Sequence, residues 1–195
     1  MEHYFTNNEN LKSELREINY TYKKEDFKFI SDNGVFSKDK IDFGSRLLVE
    51  TYLEKNEKNN LNVLDVGCGY GFIGIVLSKV LSSKVDMIDI NTRAIHLTEK
   101  NIKLNKVNAK AFISNAYENI QTKYDLIITN PPIRAGKKIV LNILKNAKDF
   151  LLENGELWLV IRKDQGAKSI LKDLNSLYKT TLVQKSKGFY IISAK

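Results

Sequence analysis

The sequence predicts a doubly wound α/β fold, and three observations carry that prediction. Short apolar runs alternate with helical patterns from residue 62 almost to the C-terminus, the order that builds a parallel sheet. The segment Asp65-Val66-Gly67-Cys68-Gly69-Tyr70-Gly71 joins an apolar strand to a helical run through a glycine turn. Asp65, Asp89, Asn115, Asn130 and Arg162 each lie at or just past the end of a separate expected strand, where open α/β sheets bind their ligands.

The elements follow in order. Ile18, Tyr20 and Tyr22, then Phe27 and Phe29, alternate around Lys23-Lys24-Glu25-Asp26 and predict a hairpin. Residues 1–40 are therefore read as an N-terminal hairpin extension and 41–195 as a single catalytic domain. Asp42 or Ser45 can cap a helix through Lys55 that carries Leu47, Leu48, Val49, Tyr52 and Leu53. After a polar linker the pattern gives strand 62–66, helix 71–81, strand 84–90, helix 92–105 and strands 109–114 and 124–129. Helix 136–152, strand 155–162 and helix 165–178 complete the alternation. Thr181 to Gln184 and Phe189 to Ser193 flank Lys185-Ser186-Lys187-Gly188, a turn that adds an antiparallel hairpin at the edge. The expected architecture is a Rossmann-like, mostly parallel sheet of seven strands.

At 195 residues the chain holds one full core, with 43% hydrophobic and 28% charged residues. No apolar stretch approaches the roughly 20 residues of a membrane span, and the polar start Met1-Glu2-His3-Tyr4 lacks a signal segment, so a cytoplasmic protein is expected. A lone Cys68 rules out an internal disulfide, and with only His3 and His96 beside it no Cys/His zinc site is expected. The net charge of +8 suits a polyanionic partner such as nucleic acid. A lysine-rich solvated surface is the plainer explanation. Against it, Arg134, Lys137 and Lys138 follow the proline turn directly, and Arg162 and Lys163 end the next strand.

Two segments carry chemistry. Asn130-Pro131-Pro132-Ile133 holds the chain's two prolines, which remove backbone donors and fix φ, so that carbonyl oxygens and one amide side chain stand outward at a strand end. Such acceptors fit a planar amino group, whose two hydrogens they bind while its lone pair faces an electrophile. Gly69, Gly71 and Gly74 satisfy G-x-G-x-x-G, which admits a nicotinamide or flavin dinucleotide and hence an oxidoreductase. The carboxylate of Asp65 opposes a pyrophosphate at the helix N-terminus and favours the cationic S-adenosylmethionine. Asp89, roughly 20 residues beyond the turn, can accept both ribose hydroxyls; alternatively it caps the following helix, a role open also to Asn91 and Thr92.

Together with Gly34-Val35-Phe36-Ser37, Asp42-Phe43-Gly44-Ser45, Arg134-Ala135-Gly136-Lys137-Lys138 and Gly155-Glu156-Leu157-Trp158, these motifs resemble the class I S-adenosylmethionine methyltransferases of the small methyltransferase-domain type. The similarity is to single-domain relatives of the ribosomal RNA small subunit methyltransferase C family, without the N-terminal pseudo-domain of the longer members. It implies methylation of guanine N2 in 16S ribosomal RNA, as naked RNA or within the small ribosomal subunit. It also implies that Asp65, Gly67, Cys68, Gly69 and Gly71 hold the methionine part of the cofactor, Asp89 and Ile90 the ribose, and Asn115 and Ala116 the adenine. Asn130, Pro131, Pro132 and Ile133 take the target amine, with Arg134, Lys137, Lys138, Arg162 and Lys163 on the substrate. Two positions depart from the pattern. Asn115 stands where many relatives carry an aspartate, and Ile133 where many carry an aromatic, so stacking falls to Phe36, Tyr4 or Phe5. A glutamine side-chain methyltransferase fits Asn-Pro-Pro equally well.

Overall fold

The computed structural model describes residues 11–195. Tyr4 and Phe5, two of the expected stacking residues, lie outside them. The N-terminal hairpin is formed by β1 (Arg16–Tyr22) and β2 (Glu25–Ser31), paired antiparallel from Arg16↔Ser31 to Tyr22↔Glu25. Helix α1 (Phe43–Lys55) follows, then β3 (Asn62–Val66), α2 (Phe72–Val80), β4 (Lys84–Asp89), α3 (Thr92–Asn105), β5 (Ala109–Ile113) and β6 (Tyr124–Thr129). The chain ends with α4 (Lys137–Asn146), β7 (Leu151–Arg162), α5 (Ala167–Leu174), β8 (Thr180–Ser186) and β9 (Phe189–Ala194).

One seven-stranded sheet runs in the order β5-β4-β3-β6-β7-β9-β8. Strands β3 to β7 are parallel, and β9 enters antiparallel between β7 and β8. The order reverses between β3 and β6, so the carboxyl ends of these two central strands border the switch-point crevice. Two apolar clusters cover the faces. One holds Val63, Val85, Met87 and Ile128 under α1, α2, α3 and the hairpin; the other holds Leu64, Ile88, Ile127 and Leu159 under α4 and α5. Successive residues of a strand thus alternate between the clusters, as a sheet buried on both faces requires.

The hairpin is fixed by two asparagines. Asn101 accepts from Ile30 N at 2.7 Å and donates to Ile30 O at 2.9 Å, and Asn105 makes the same pair of bonds to Lys28 at 3.1 and 2.7 Å. Amide side chains on α3 thereby complete the open edge of β2, and Phe27 and Phe29 join the main core with Tyr70 and Phe72. The edge cannot serve as a free strand-pairing template.

Two helices are shorter than their sequence patterns predict. The expected helix 136–152 stops at Asn146 and continues as a 3₁₀ turn, Ala147–Phe150, because Leu151 pairs with Tyr124 and starts β7 early. The expected helix 165–178 spans only Ala167–Leu174. Leu177 and Tyr178 then fold back by donating backbone N–H groups to Leu174 O at 2.9 Å each, and the Tyr178 hydroxyl donates to Leu144 O. Tertiary packing overrides helical periodicity at both ends.

Candidate active site at the carboxyl rim of the sheet

The glycine turn lies between the end of β3 and the start of α2. Gly67 and Gly69 have φ of +74° and +59°, and nothing stands within 4 Å of where either would carry a Cβ. The backbone therefore presents a bare concave wall that a side chain would fill. The Gly67 and Cys68 N–H groups donate to Ile88 O at 2.8 and 3.0 Å, tying the turn to β4. Cys68 is buried, and burial raises its thiol well above the usual range, which suits a filler and not a nucleophile.

Asp89 ends β4 and faces this wall. Its carboxylate accepts from Gly69 N at 2.9 Å and Asn91 N at 2.9 Å, and each oxygen keeps capacity for a further hydrogen bond. The helix cap falls to Asn91, whose side chain accepts from Arg93 N and Ala94 N. That division leaves Asp89 for a ligand. Asn115 donates Nδ2 to Glu118 at 2.8 Å, which orients its Oδ1 as the remaining acceptor. Ala116 beside it has φ +48°, a costly conformation held by a 2.7 Å bond from the Ser114 hydroxyl to the Ala116 carbonyl.

Across the crevice, Asn130 follows β6. Its Nδ2 donates to Asp42 Oδ2 at 3.1 Å and to Ser45 Oγ at 2.8 Å. Both amide hydrogens are committed, so Oδ1 is the side chain's open acceptor. Asp42 is also the cap of α1, accepting from Ser45 N at 2.7 Å on the same oxygen. The sequence alone assigns Asp42 and Ser45 only a capping role, because no local pattern shows that a helix start will meet residue 130. Pro132 has φ −74° and ψ 78°, a tight turn in which the Ile133 N–H donates to the Pro131 carbonyl at 2.8 Å. That carbonyl therefore offers one remaining lone pair.

The structure gathers most of the predicted residues into one crevice. Its lining includes Phe36, Gly67, Cys68, Gly69, Asp89, Ile90, Asn115, Ala116, Asn130, Pro131 and Pro132. Asp65, Gly71, Ile133, Arg134, Lys137, Lys138, Arg162 and Lys163 stand outside that lining. Asp65 is 0% exposed and turned toward α2, where Oδ2 accepts from Gly74 N at 3.0 Å and Oδ1 has no partner. Burial, with the nearby Asp89 charge adding to it, pushes its carboxyl up to about 7. Ile133 is half-buried and packs against the α4 and α5 core. Lys137 is engaged by Asp173 at 2.9 Å and Ser169 at 2.7 Å, and Arg162 by Asp164 at 2.8 Å. Arg134, Lys138 and Lys163 are exposed on the rim.

The electrostatics discriminate between ligands. Asp42 and Asp89 line the crevice, and among the described residues no Lys, Arg or His does. Such a wall repels a pyrophosphate and attracts a cation. The bare glycine wall and the Asp89 acceptor fit either cofactor, and the sign of charge favours S-adenosylmethionine over a dinucleotide. Among the described residues no group of three or more His, Cys, Asp or Glu is placed to hold a metal, and no helix is long and apolar enough to cross a membrane.

Comparison with known proteins agrees with this chemistry. A model of the methyltransferase small domain matches residues 26–193. The uncharacterized protein YbxB of Bacillus subtilis (strain 168) is 42% identical over 199 residues, covering 100% of this chain and 98% of that one. Ribosomal RNA small subunit methyltransferase C of Photorhabdus laumondii is 36% identical over 132 residues, 65% of this chain and 38% of that protein. The chain thus spans well under half the length of that relative. The structure of the Thermus thermophilus 16S rRNA N2 G1207 methyltransferase, solved with AdoMet and guanosine, superposes with a TM-score of 0.83 at 23% identity, over 95% of this chain and 51% of that one. The fold is shared. With a family match spanning most of its length, the chain belongs to the methyltransferase small domain family and is an S-adenosylmethionine-dependent methyltransferase.

Proposed function

We propose that this enzyme methylates the exocyclic N2 amine of a guanine in 16S ribosomal RNA, in the cytoplasm. The observation that carries the reading is the fixed amide of Asn130, whose hydrogens go to Asp42 and Ser45 and whose carbonyl is left for an amine. The names of the methyltransferase C relatives and the chain's +8 charge support RNA as substrate.

In this reading Gly67, Cys68 and Gly69 form the wall against the methionine part, Asp89 and Ile90 meet the ribose, and Asn115 and Ala116 border the adenine. Bound there, the cofactor supplies a methyl group on a positively charged sulfur. Asn130 Oδ1 and the free lone pair of the Pro131 carbonyl accept the two amine hydrogens. The nitrogen is drawn out of conjugation with its ring and its lone pair is aimed along the crevice. The Asp42 carboxylate on the Asn130 amide strengthens that carbonyl as an acceptor, since hydrogen bonds in a chain polarise one another. As the nitrogen–methyl bond forms and the methyl's bond to sulfur breaks, leaving a neutral thioether, positive charge develops on the amine nitrogen, where the carbonyl dipoles already point. One of the two hydrogen-bonded protons then leaves to solvent. A paired guanine cannot present N2, so the base must be unpaired or flipped, at a cost of roughly a few kcal/mol. Arg134, Lys138 and Lys163 on the rim are available to phosphate, and Phe36 lines the crevice beside the base or cofactor.

The test is transfer of labelled methyl from S-adenosylmethionine to ribosomal RNA of a deletion strain, followed by nucleoside mass analysis. N2-methylguanosine in 16S RNA is expected. Label in a protein glutamine, with none in RNA, replaces this reading by the side-chain amide methyltransferase.

A further inference from the structure

Beside the crevice mouth, at the junction of α1 and β9, sits an aromatic pair. Phe43 and Phe189 lie with ring centroids 5.4 Å apart, both partly exposed. Three cations surround them. Lys187 Nζ stands 5.1 Å and Arg46 Cζ 5.7 Å from the Phe43 centroid, and Arg162 Cζ 5.6 Å from that of Phe189. Arg162 has an ion pair with Asp164, but Arg46 and Lys187 have none among the described residues.

The cluster is built against the site. Gly44 separates Phe43 from Ser45, and a Cβ there would meet Phe189 Cε1 at 2.8 Å and Asp42 Oδ2 at 3.1 Å. Only glycine lets the Phe189 ring approach the helix start that holds Asn130. Lys163 N donates to Gly188 O at 2.8 Å, which fixes the β8–β9 turn to the end of β7 and so brings Lys187 and Arg162 to one rim. Arg162 has Asp164 beside it, but Arg46 and Lys187, both over the Phe43 ring, repel one another unless an anion joins them. The crevice itself, lined by Asp42 and Asp89, rejects phosphate. A nucleic acid is therefore sorted by charge, with its target base inside and its backbone on the rim.

We propose that Phe43 and Phe189, with Arg46, Arg162 and Lys187, form the docking surface for the single-stranded RNA flanking the target nucleotide. The rings stack a neighbouring base and the cations meet its phosphates, the combination used by single-strand binding surfaces. This rests on the RNA reading of the active site. A protein partner carrying acidic groups would use the cations but would have no planar base for the rings.

The experiment measures anisotropy of a labelled single-stranded RNA of about 12 nucleotides, against a salt series and against a duplex of equal length, with the full chain. Replacing the three cations together (R46Q, R162Q and K187Q) should make the slope of log K against log salt shallower by about 2, at roughly 0.7 for each phosphate that is no longer neutralised. F43L and F189L should each weaken single-strand binding roughly tenfold while changing duplex binding little. The melting shift induced by S-adenosylmethionine should match wild type in every variant, which shows that the fold and cofactor site persist. Wild-type binding and slope in the charge variant, or equal loss on single strand and duplex in the ring variants, overturns the surface and leaves the RNA assignment standing. Failure of the unaltered protein to bind RNA, with methyl transfer to protein, overturns both.

Discussion

The two walls of the crevice are made differently. The cofactor wall comes mainly from one stretch, from the end of β3 to the cap of α3, joined by Asn115 and Ala116 after β5; within it the Gly67 and Gly69 N–H groups are tied to Ile88 and Asp89 across the β3–β4 pair. The amine wall is assembled from segments far apart in sequence, since Asn130 is held by residues 88 and 85 positions away. A local wall can be formed by one strand-turn-helix unit; a distributed wall exists only when the sheet and α1 are both in place. Function on the amine side is thus tied more closely to the integrity of the whole fold.

Titration of Asp65 gives the largest expected effect and probes the rear of the cofactor wall. Its folded pKa of about 7 lies above the roughly 3.9 of an unfolded aspartate, so the native state binds this proton more tightly. The contribution is fully present below about pH 4, declines as pH rises through the window up to 7, and is gone above it. The full loss is roughly 4 kcal/mol. Denaturant unfolding at pH 5 and pH 8 should show most of this difference in wild type and little of it in Asp65→Asn. An equal pH slope in the two proteins rules out the buried, protonated Asp65. On the opposite wall, Asn130→Ala should lower kcat on the order of 100- to 1000-fold, the scale of deleting one preorganised polar group. Calorimetry should find its cofactor affinity unchanged. A parallel fall in that affinity would merge the two walls into one functional unit.

The same contrast explains what was legible in the sequence. The succession of strands along the chain, the glycine turn, Asp89 and the Asn-Pro-Pro turn are local signals, and each lies at the strand or strand end where its pattern put it. Helix ends at 146 and 174 were not legible, because they are set by Leu151 pairing with Tyr124 and by Tyr178 reaching the carbonyl of Leu144. Asp65 has the right sequence position for a ligand to the cofactor, but strand alternation turns it toward α2. Its neighbour Val66 takes the crevice side. Asp42 and Ser45 showed only a helix cap, and the aromatic pair Phe43 and Phe189 showed nothing, since contacts across more than a hundred residues leave no periodicity.

Asp89→Ala tests whether the local wall binds by charge. Removing an acceptor that keeps capacity beyond the Gly69 and Asn91 bonds should weaken cofactor binding roughly 10- to 100-fold, the worth of one charge-assisted bond. Wild-type affinity by calorimetry would place the ribose elsewhere. Part of any loss reaches the turn itself, because Gly69 N would lose its partner. Asp89→Asn removes the charge and keeps one acceptor, which serves Gly69 N at the expense of the Asn91 N–H bond, so it tests the loss of charge with the glycine turn still held.

Asp42 offers the sharpest test of the distributed wall, with the smallest expected effect. One oxygen, Oδ2, accepts from both the Ser45 N–H and the Asn130 amide, so a single acceptor joins helix α1 to the end of β6. Asp42→Ala removes the cap, at about 1 kcal/mol of stability. It also leaves Asn130 held by Ser45 alone, so the amide can turn its Nδ2 toward the substrate amine and present a donor where an acceptor is needed. A fall in kcat of roughly tenfold with little change in KM is the expected signature of a residue that acts by positioning another. Asp42→Asn is the informative partner, because its carbonyl can accept both bonds and caps helices about as well as aspartate. If position matters and charge is secondary, the asparagine variant recovers most of kcat. If the carboxylate's polarisation of Asn130 dominates, it restores stability and leaves kcat low. Wild-type kcat in Asp42→Ala would mean that Ser45 alone fixes Asn130, and the amine wall would need only two segments to form.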